Sequence, residues 1–389
     1  MTALANGNGS QQIDYDLHGL AAIRLLDATP ADAAAVTRQL GPIQATLARQ
    51  PDIIIRFVDR LSTSSPLRYL GVDDAGFTGD AFLVLRSKHK AQVRVQIPFE
   101  QIGHGCEIVC ERGLPAVPLL IPILNLTVLA NGALPLHASA FIHNGVGALA
   151  TGWAKGGKTE TLLAFMANGA SYVGDEWIYI SSDGRQMYGI PEPIRVWNWH
   201  LQDLPRYWAL VGRRDRARLR GLALLVRALD RASAGGRDSA LRRLIRRVTP
   251  LLKRQLYVHL QPHKLFGQQA SPLTSPLEKV FFVASHESAE VTVQPADPQV
   301  IARRMVFSLQ EERMEFMAYY LKFRFAFPDR RNELIEQAEE RQRQVLQRVL
   351  ADKEAYTVYH PYPVSIPALF EAINPFLQTR PQQETLYVS

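Results

Sequence analysis

The sequence predicts a mixed α/β protein, and two observations lead to that class. Residues 136–190 follow the order strand, glycine-rich loop, helix, strand, which is typical of α/β domains. Residues 13–110 contain short β-branched runs bounded by turn residues, which predicts a β-rich region before that unit. The chain has 389 residues, 47% hydrophobic and 21% charged, so it is long enough for more than one domain and has the composition of a folded protein.

Changes in composition along the chain predict five segments. They are a polar, disordered tail (1–12), a β-rich N-terminal lobe with one helix near its start (13–112), a core that contains the glycine-rich loop (113–205), a basic helical insertion (206–256), and the remainder of the core with C-terminal helices (257–389).

The only two cysteines lie in the N-terminal lobe. Cys106 and Cys110 are four residues apart in a strand-like run, where they cannot readily bridge, and two thiols alone do not complete a zinc site. We therefore expect buried, reduced thiols. Reduced thiols, together with a polar N-terminus that lacks an apolar signal core, favour a cytoplasmic location.

The longest apolar run, residues 114–136, has the length of a membrane span. Four prolines interrupt it, at positions 115, 118, 122 and 135, and Asn131-Gly132 forms a turn signal. The run therefore predicts a buried helix followed by a turn, and a membrane partner is not expected.

A tight hairpin is predicted at Asn144-Gly145, between strands 136–143 and 146–151, because both turn positions need positive φ. The second strand leads into "ATGWAKGGKTETLLAF", which continues as a helix that ends at Asn168-Gly169. The next run, "SYVGDEWIYI", predicts a further strand.

The loop in this unit has the spacing of a phosphate-binding loop, set by Gly152, Gly157, Lys158 and Thr159. Its backbone N–H groups would point into one concavity, Lys158 would contact the β- and γ-phosphates, and Thr159 would bind Mg²⁺. We expect the whole segment, including Trp153, Ala154, Lys155 and Gly156, to contact ATP. Lys155 either adds charge at the phosphates or points to solvent, and Trp153 either stacks on a base or a lobe or covers the loop.

Two adjacent acids, Asp175 and Glu176, lie seventeen residues after Lys158. Beside a phosphate loop, such a pair suits a division of roles in which one acid coordinates Mg²⁺ and the other accepts a proton from an attacking hydroxyl. The alternative is a solvated acidic turn. His137, on the strand before the hairpin, is either a hydrogen-bonded core histidine or a residue that orients the acid pair.

Residues 206–254 carry 14 Arg, one Lys and three Asp, a net charge of +12. Because the whole chain carries only +7, the remainder carries −5. Apolar stripes at 222–229 (with Leu225) and 241–248 predict two amphipathic helices divided by "ASAGGRDS". They form a surface for an acidic peptide or protein, an anionic membrane or nucleic acid, or they pack their stripes on the core. No nucleic-acid motif supports nucleic acid as the partner.

The C-terminal third returns to mixed structure. Residues 276–296 predict strands, 297–352 predict helices, and a final strand (355–363) and short helix (366–377) close the chain.

The stretch 136–188 resembles the catalytic core of HPr kinase/phosphorylase and its relatives. The matching features are a His before a Gly-x-Gly hairpin, a phosphate loop that ends in Gly-Lys-Ser/Thr followed by Glu, and two adjacent acids; the matching residues are His137, Gly145, Gly147, Gly157, Lys158, Thr159, Glu160, Asp175 and Glu176. The resemblance implies a core with the fold of HPr kinase and ATP-dependent phosphoenolpyruvate carboxykinase.

The resemblance also implies roles. His137 would partner the acid pair, Asp175 would handle the hydroxyl proton, and Glu176 would be an Mg²⁺ ligand. Glu160 would belong to the nucleotide site. A looser similarity through "PEPIRVW" implies that Arg195 contacts the phosphates or the substrate.

Three departures from the family separate this chain from the HPr enzymes. The second acid is Glu176 where those enzymes have Asp, and the Gly-rich signature tied to their phosphorylase reaction is missing. The basic stretch also has no counterpart in them. Neither phosphorylase activity nor HPr as a substrate is therefore expected.

Taken together, these features predict a cytoplasmic, Mg-ATP-dependent kinase that transfers γ-phosphate to a hydroxyl of a peptide, a protein or a small molecule. The main alternative is a nucleotide-binding regulator or adaptor with little catalysis, which uses the basic helices as its partner surface. A carboxykinase-like phosphotransferase is a third. The sequence is compatible with a homo-oligomer.

Overall fold

The computed structural model describes residues 12–72, 74–86, 92–233 and 240–378. It is mixed α/β, with 40% helix and 28% strand, which confirms the predicted class. The tail predicted at 1–12 lies outside the described residues apart from Gln12, and most of the predicted "ASAGGRDS" divider also lies outside them.

The N-terminal lobe is built on an eight-stranded sheet in the order β1-β2-β3-β8-β7-β6-β5-β4. Its strands are β1 (Ile13–Leu17), β2 (Ala21–Leu26), β3 (Ile53–Val58), β4 (Arg68–Leu70), β5 (Ala75–Phe77), β6 (Phe82–Arg86), β7 (Gln92–Gln96) and β8 (Cys106–Glu111). The short β-branched runs of residues 13–110 form β1, β2, β3, β6, β7 and β8. In contrast, β4 and β5 were not predicted, because three-residue strands carry too short a pattern. Cys106 and Cys110 on β8 are buried free thiols, as predicted.

The core contains a nine-stranded mixed sheet and a separate two-stranded ribbon, β14-β15. The strands are β9 (Leu134–His143), β10 (Val146–Thr151), β11 (Ser171–Gly174), β12 (Trp177–Ile180), β13 (Gln186–Gly189), β14 (Ile194–Trp197), β15 (Tyr257–Leu260), β16 (Thr274–Pro276), β17 (Lys279–Ser285), β18 (Thr292–Pro295) and β19 (Glu354–His360). The path is β16-β13-β12-β9-β10-β17-β19-β18, and β11 also pairs with β9.

Helices cover the sheets and link the strands. The α-helices are α1 (Pro30–Leu40), α2 (Leu120–Ala130), α3 (Lys158–Ala167), α4 (His200–Asp203), α5 (Pro205–Trp208), α6 (Arg213–Ser233), α7 (Ala240–Lys253), α8 (Pro262–Phe266), α9 (Pro298–Ala326), α10 (Glu333–Glu336), α11 (Ala338–Leu350) and α12 (Ile366–Ile373). Short 3-10 turns occur at Phe99–Gln101, Gly267–Ala270 and Asn374–Leu377.

The apolar run at the start of the core forms α2 and a turn, as predicted, and most residues of α2 are buried. Across the described residues, no helix combines the length and apolar character that crossing a bilayer requires. The N-terminal lobe and the core share one hydrophobic cluster, in which Phe99 of the lobe packs against Phe316 and Phe323 of α9 with ring centroids 5.4 Å apart. This packing fixes the lobe beside the core.

The basic insertion forms two helices, α6 and α7, and the apolar stripe predicted on α6 is buried only in part. Val226 of that stripe is buried and Leu222 and Leu229 are half-buried, whereas Leu225 is 46% exposed; the other buried residues of α6 are Leu219 and Ala223. Apolar residues occur on more than one face of α6, and packing against the core, which the pattern alone does not specify, selects the face that is buried.

Candidate active site

The glycine-rich loop, residues 152–157, lies at the carboxyl end of β10. This strand pairs in parallel with β17, and α3 begins at Lys158, so the loop joins a central strand to a helix N-terminus, as the sequence predicts. A Cβ atom at Gly152 would lie 2.3 Å from the carbonyl oxygen of Val283, and one at Gly157 would lie 2.3 Å from Nε2 of His360. Only glycine fits at either position.

Two residues from distant parts of the chain support the loop. The buried His360 at the end of β19 places Nε2 2.8 Å from the carbonyl oxygen of Gly156, and the Ser308 hydroxyl of α9 donates to the carbonyl oxygen of Gly152 at 3.4 Å. No motif identifies either residue in the sequence, because both contacts depend on how β19 and α9 pack around β10.

The Lys158 ammonium lies under the loop. It donates to the carbonyl oxygens of Gly152 and Trp153, at 3.3 and 2.9 Å, and burial lowers its pKa. Trp153 is 52% exposed and Lys155 is exposed, with φ of 62°. Both side chains are therefore accessible at the outer side of the loop, and Lys158 lies at its inner side.

Asp175 and Glu176 occupy a break between β11 and β12, where a single strand was predicted. Glu176 has φ of 67°, which interrupts the extended backbone, and the two acids have different partners, Thr159 for Asp175 and His137 for Glu176. Asp175 is buried, and the Thr159 hydroxyl donates to its two carboxylate oxygens at 3.1 and 3.2 Å. Burial, followed by the charge of Glu176, raises the pKa of Asp175 to about 7.

His137 lies next to the acid pair because of strand register. It is the partner of Trp177 in the β9-β12 pairing, and its Nε2 lies 3.1 Å from Oε2 of Glu176. Its Nδ1 lies 2.5 Å from Oε1 of Glu312 on α9. Burial acts to lower the pKa of His137, but the bonds to Glu176 and Glu312 outweigh burial, so the net shift is upward. Two carboxylates thus hold the imidazole, and no sequence motif identifies Glu312.

Glu160, expected at the nucleotide site, lies inside the core instead of at the mouth of the loop. Its Oε1 is 3.0 Å from Nε2 of the buried His200. Burial acts to raise the pKa of Glu160, but the hydrogen bond and charge of His200 bring it below its ordinary value. In this structure Glu160 is a partner of His200, and it joins α3 to α4.

Arg195 lies on the exposed face of the β14-β15 ribbon, opposite His259 in the register. Its guanidinium lies 4.9 Å from the ring centroid of Tyr257. After the larger effect of the His137 hydrogen bond, the charge of Arg195 also lowers the pKa of Glu176. Arg195 is therefore an exposed cation within electrostatic reach of the acid pair, and its contact with the phosphates or the substrate stays a prediction.

Glu192, which precedes Arg195, was not singled out in the sequence. Its Oε1 is buried and has no hydrogen-bond partner within the described part of the chain. Burial, followed by the charges of Glu176 and Asp175, raises its pKa well above the ordinary value. The acid pair and burial together therefore favour the protonated form of this neighbouring carboxyl.

The raised pKa of Glu192 predicts a pH-dependent stability. A carboxyl that holds its proton more tightly when folded stabilises the protein fully below the ordinary pKa of 4.5, and that contribution is lost as the pH rises. We expect Glu192→Gln to remove this loss, so that its free energy of unfolding exceeds that of the parent chain at pH 8 but not at pH 5. Urea unfolding in metal-free buffer measures the free energy of unfolding of each chain at both pH values. The same pH dependence in the two chains would refute the prediction.

The site offers oxygen ligands of the kind that Mg²⁺ prefers. Thr159, Asp175 and Glu176 bring a hydroxyl and two carboxylates together beside the loop. No group of three or more His, Cys, Asp or Glu residues that could hold a metal ion occurs among the described residues. Mg²⁺ in phosphoryl-transfer sites is bound by only one or two protein carboxylates, together with substrate phosphates and water, so this set of ligands fits.

The loop, the acid turn and His137 therefore converge at one edge of the core sheet. Three residues from the C-terminal third of the chain also contact this group: Ser308, Glu312 and His360. Glu160 does not contact this edge. In comparisons with known proteins, no family model and no curated protein matches the chain.

Proposed function

We propose that this protein is a Mg-ATP-dependent kinase of the HPr kinase-like group that transfers γ-phosphate to a hydroxyl. The single observation that carries the proposal is the convergence, beside one phosphate loop, of the Thr159–Asp175 contact and the Glu312–His137–Glu176 chain. A nucleotide-driven motor or switch needs the phosphate loop and a metal ligand. Transfer to a hydroxyl additionally needs a group that accepts the hydroxyl proton, and a second carboxylate held by a histidine suits that role.

The phosphate loop supports nucleotide binding. Gly152 and Gly157 let the loop backbone pack directly against Val283 and His360, and Lys158 lies within the same turn. When the γ-phosphate enters, the Lys158 ammonium would exchange its two loop carbonyls for phosphate oxygens. Bound Mg²⁺ would neutralise part of the phosphate charge.

The two acids of the pair suit two distinct roles, but these roles are exchanged relative to those that the resemblance implies. The Thr159 hydroxyl bonds Asp175, and in phosphate-loop enzymes such a hydroxyl and an acid bind the metal together. Glu176 has a different partner, His137, and its side chain is 46% exposed. We therefore assign the metal side to Asp175 and the hydroxyl side to Glu176. The acceptor oxygen would bond to the γ-phosphorus, the bond to the bridging oxygen would break, ADP would leave, and the hydroxyl proton would pass to Glu176.

Lys158→Ala tests the proposal directly. We expect the variant to lose at least about 100-fold in the rate of γ-phosphate transfer, since one preorganised cation on the transferring group contributes that much. The assay follows labelled γ-phosphate from MgATP into a panel of hydroxyl acceptors, with Lys155→Ala, at the exposed side of the same loop, as the matched comparison. An unchanged transfer rate in Lys158→Ala would remove the kinase assignment.

A specific observation favours a second function, that of a nucleotide-binding adaptor. On the basic helices, Leu224, Leu244 and Leu251 are between 57% and 64% exposed, although arginines surround them. An apolar stripe rimmed by cations suits an acidic amphipathic partner. In the same assay, MgATP binding without transfer to any acceptor would support the adaptor over the kinase.

A further inference from the structure

We propose that the phosphoryl acceptor is a small amino alcohol that binds in a cavity between the N-terminal lobe and the core. The proposal rests on the kinase function and adds the class of its second substrate. The cavity has a volume of about 330 Å³. Its walls come from β6 of the lobe, from residues 116–122 at the start of α2, from Glu176 and Trp177, and from α9.

The cavity reaches one carboxylate of the acid turn and not the other. Glu176 lines it, together with Glu312, whereas Asp175 and Thr159 do not. His137 contacts both lining carboxylates, so Glu176 and Glu312 lie close together in the wall of the cavity. A hydroxyl placed there lies beside the carboxylate assigned to receive its proton.

The walls of the cavity are held by hydrogen bonds that do not involve a ligand. The Gln39 amide donates to the carbonyl oxygen of Val117 at 3.1 Å and accepts from its N–H at 2.8 Å. The Tyr319 hydroxyl donates to the carbonyl oxygen of Arg86 at 3.1 Å. These bonds tie the lobe to the core across the cavity, so the space is formed before any acceptor binds.

The size of the cavity favours a small molecule over a protein side chain carried on a peptide. A volume of 330 Å³ corresponds to roughly eleven water molecules at about 30 Å³ each, which is the low end of the range for small-molecule sites. Apolar side chains, among them Val84, Val117 and Leu120, form much of the wall. A short aliphatic chain would fill this space.

The charges of the cavity favour a cation. Three carboxylates line it, from Glu176, Glu312 and Glu315, against the guanidinium of Arg86 and the imidazole of His137, which lies between Glu176 and Glu312. Even with His137 counted as a cation, these groups of the described residues sum to one negative charge. An anionic acceptor would meet net repulsion, whereas an ammonium group would be attracted. The basic helices carry the opposite charge, so an acidic acceptor peptide would suit them and not this cavity.

In the proposed reaction, the alcohol oxygen of the acceptor forms the new bond to the γ-phosphorus and the bond between that phosphorus and the bridging oxygen breaks. ADP leaves with the bridging oxygen. The alcohol proton passes to Glu176, so the products are ADP and the phosphate monoester of the amino alcohol.

The test compares matched acceptors under MgATP. The probes are 5-aminopentanol, 1,5-pentanediol and 5-hydroxypentanoate, with their shorter homologues, and a seryl peptide flanked by glutamates. We expect kcat/KM to fall at least about tenfold from the amino alcohol to the hydroxy acid. Fastest transfer to the hydroxy acid or the peptide would overturn the proposal, and so would bound MgATP with transfer to none of the amino alcohols.

Two variants separate the cavity from the nucleotide site. Ala116→Phe fills part of the cavity at a half-buried position, so KM for the amino alcohol should rise at least about tenfold while the Kd for an ATP analogue stays the same. Glu315→Gln keeps the volume and should reduce the preference for the amino alcohol over the diol several-fold. Ala351→Phe, at an exposed turn, is the control for Ala116→Phe.

The outcomes distinguish this proposal from the kinase function itself. If Lys158→Ala abolishes transfer but Ala116→Phe changes neither KM nor selectivity, the kinase stands and the cavity is not the acceptor site. If the parent chain binds no MgATP, the kinase function is the part that fails.

Discussion

Asp175→Asn should lower the rate of phosphoryl transfer by about 10²–10³-fold while the protein stays folded. The carboxylate is buried against the Thr159 hydroxyl, where the amide of Asn can still accept that hydrogen bond but supplies no charge for the metal. We therefore also expect the variant to need a higher Mg²⁺ concentration for half-maximal rate.

The stability of this variant follows from the environment of Asp175. Burial raises the pKa of the carboxyl to about 7, so the ionised form is disfavoured where it lies. A neutral amide avoids that cost. Asp175→Asn should consequently unfold at the same urea concentration as the parent chain or at a higher one, and loss of activity with gain of stability identifies a functional residue.

The matched control is Asp183→Asn, which makes the same change at an exposed aspartate in the turn between β12 and β13. Its transfer rate should equal that of the parent chain. A normal rate in Asp175→Asn would contradict the proposed metal side and favour the adaptor. A lowered rate with an unaltered Mg²⁺ requirement would return Asp175 to the proton-handling role that the family resemblance implies.

The sequence predicted the parts of this site whose signals are local. The Asn144-Gly145 turn, with φ of 51° and 80°, the loop glycines and the start of α3 are encoded within about twenty-five residues, because turn geometry and helix initiation depend on neighbouring residues. Asp175, the first residue of the acid pair, also lies beside the loop, as its position shortly after the loop predicted.

The remainder of the site depends on tertiary packing that no local pattern records. Glu312 lies on the long helix α9, which packs against β9. His360 ends β19, which pairs in parallel with β17, and β17 in turn pairs in parallel with β10. Glu160 follows the loop directly, yet the helix turn directs it toward His200. Proximity in sequence therefore predicted a ligand contact at a residue whose partner in the folded protein is the buried His200.

Gly147→Ala should destabilise the protein by about 3 kcal/mol or more, whereas Gly145→Ala in the same hairpin should cost about 1 kcal/mol. A Cβ at Gly147 would lie 1.9 Å from the carbonyl oxygen of Pro276 and 2.4 Å from Oγ of Ser275. At Gly145 no atom lies within 4 Å of the added Cβ, and the cost comes from φ of +80° alone. Urea unfolding of the two variants measures the difference.

The two glycines thus serve different purposes, although a sequence comparison reads them as one Gly-x-Gly feature. Gly145 lets the chain turn, and Gly147 lets β16 approach β10. Because β10 carries the phosphate loop, the backbone shift in Gly147→Ala should also weaken binding of an ATP analogue, and Gly145→Ala should not. Equal losses of stability in the two variants would mean that turn strain, and not the close contact with β16, decides the cost at this hairpin.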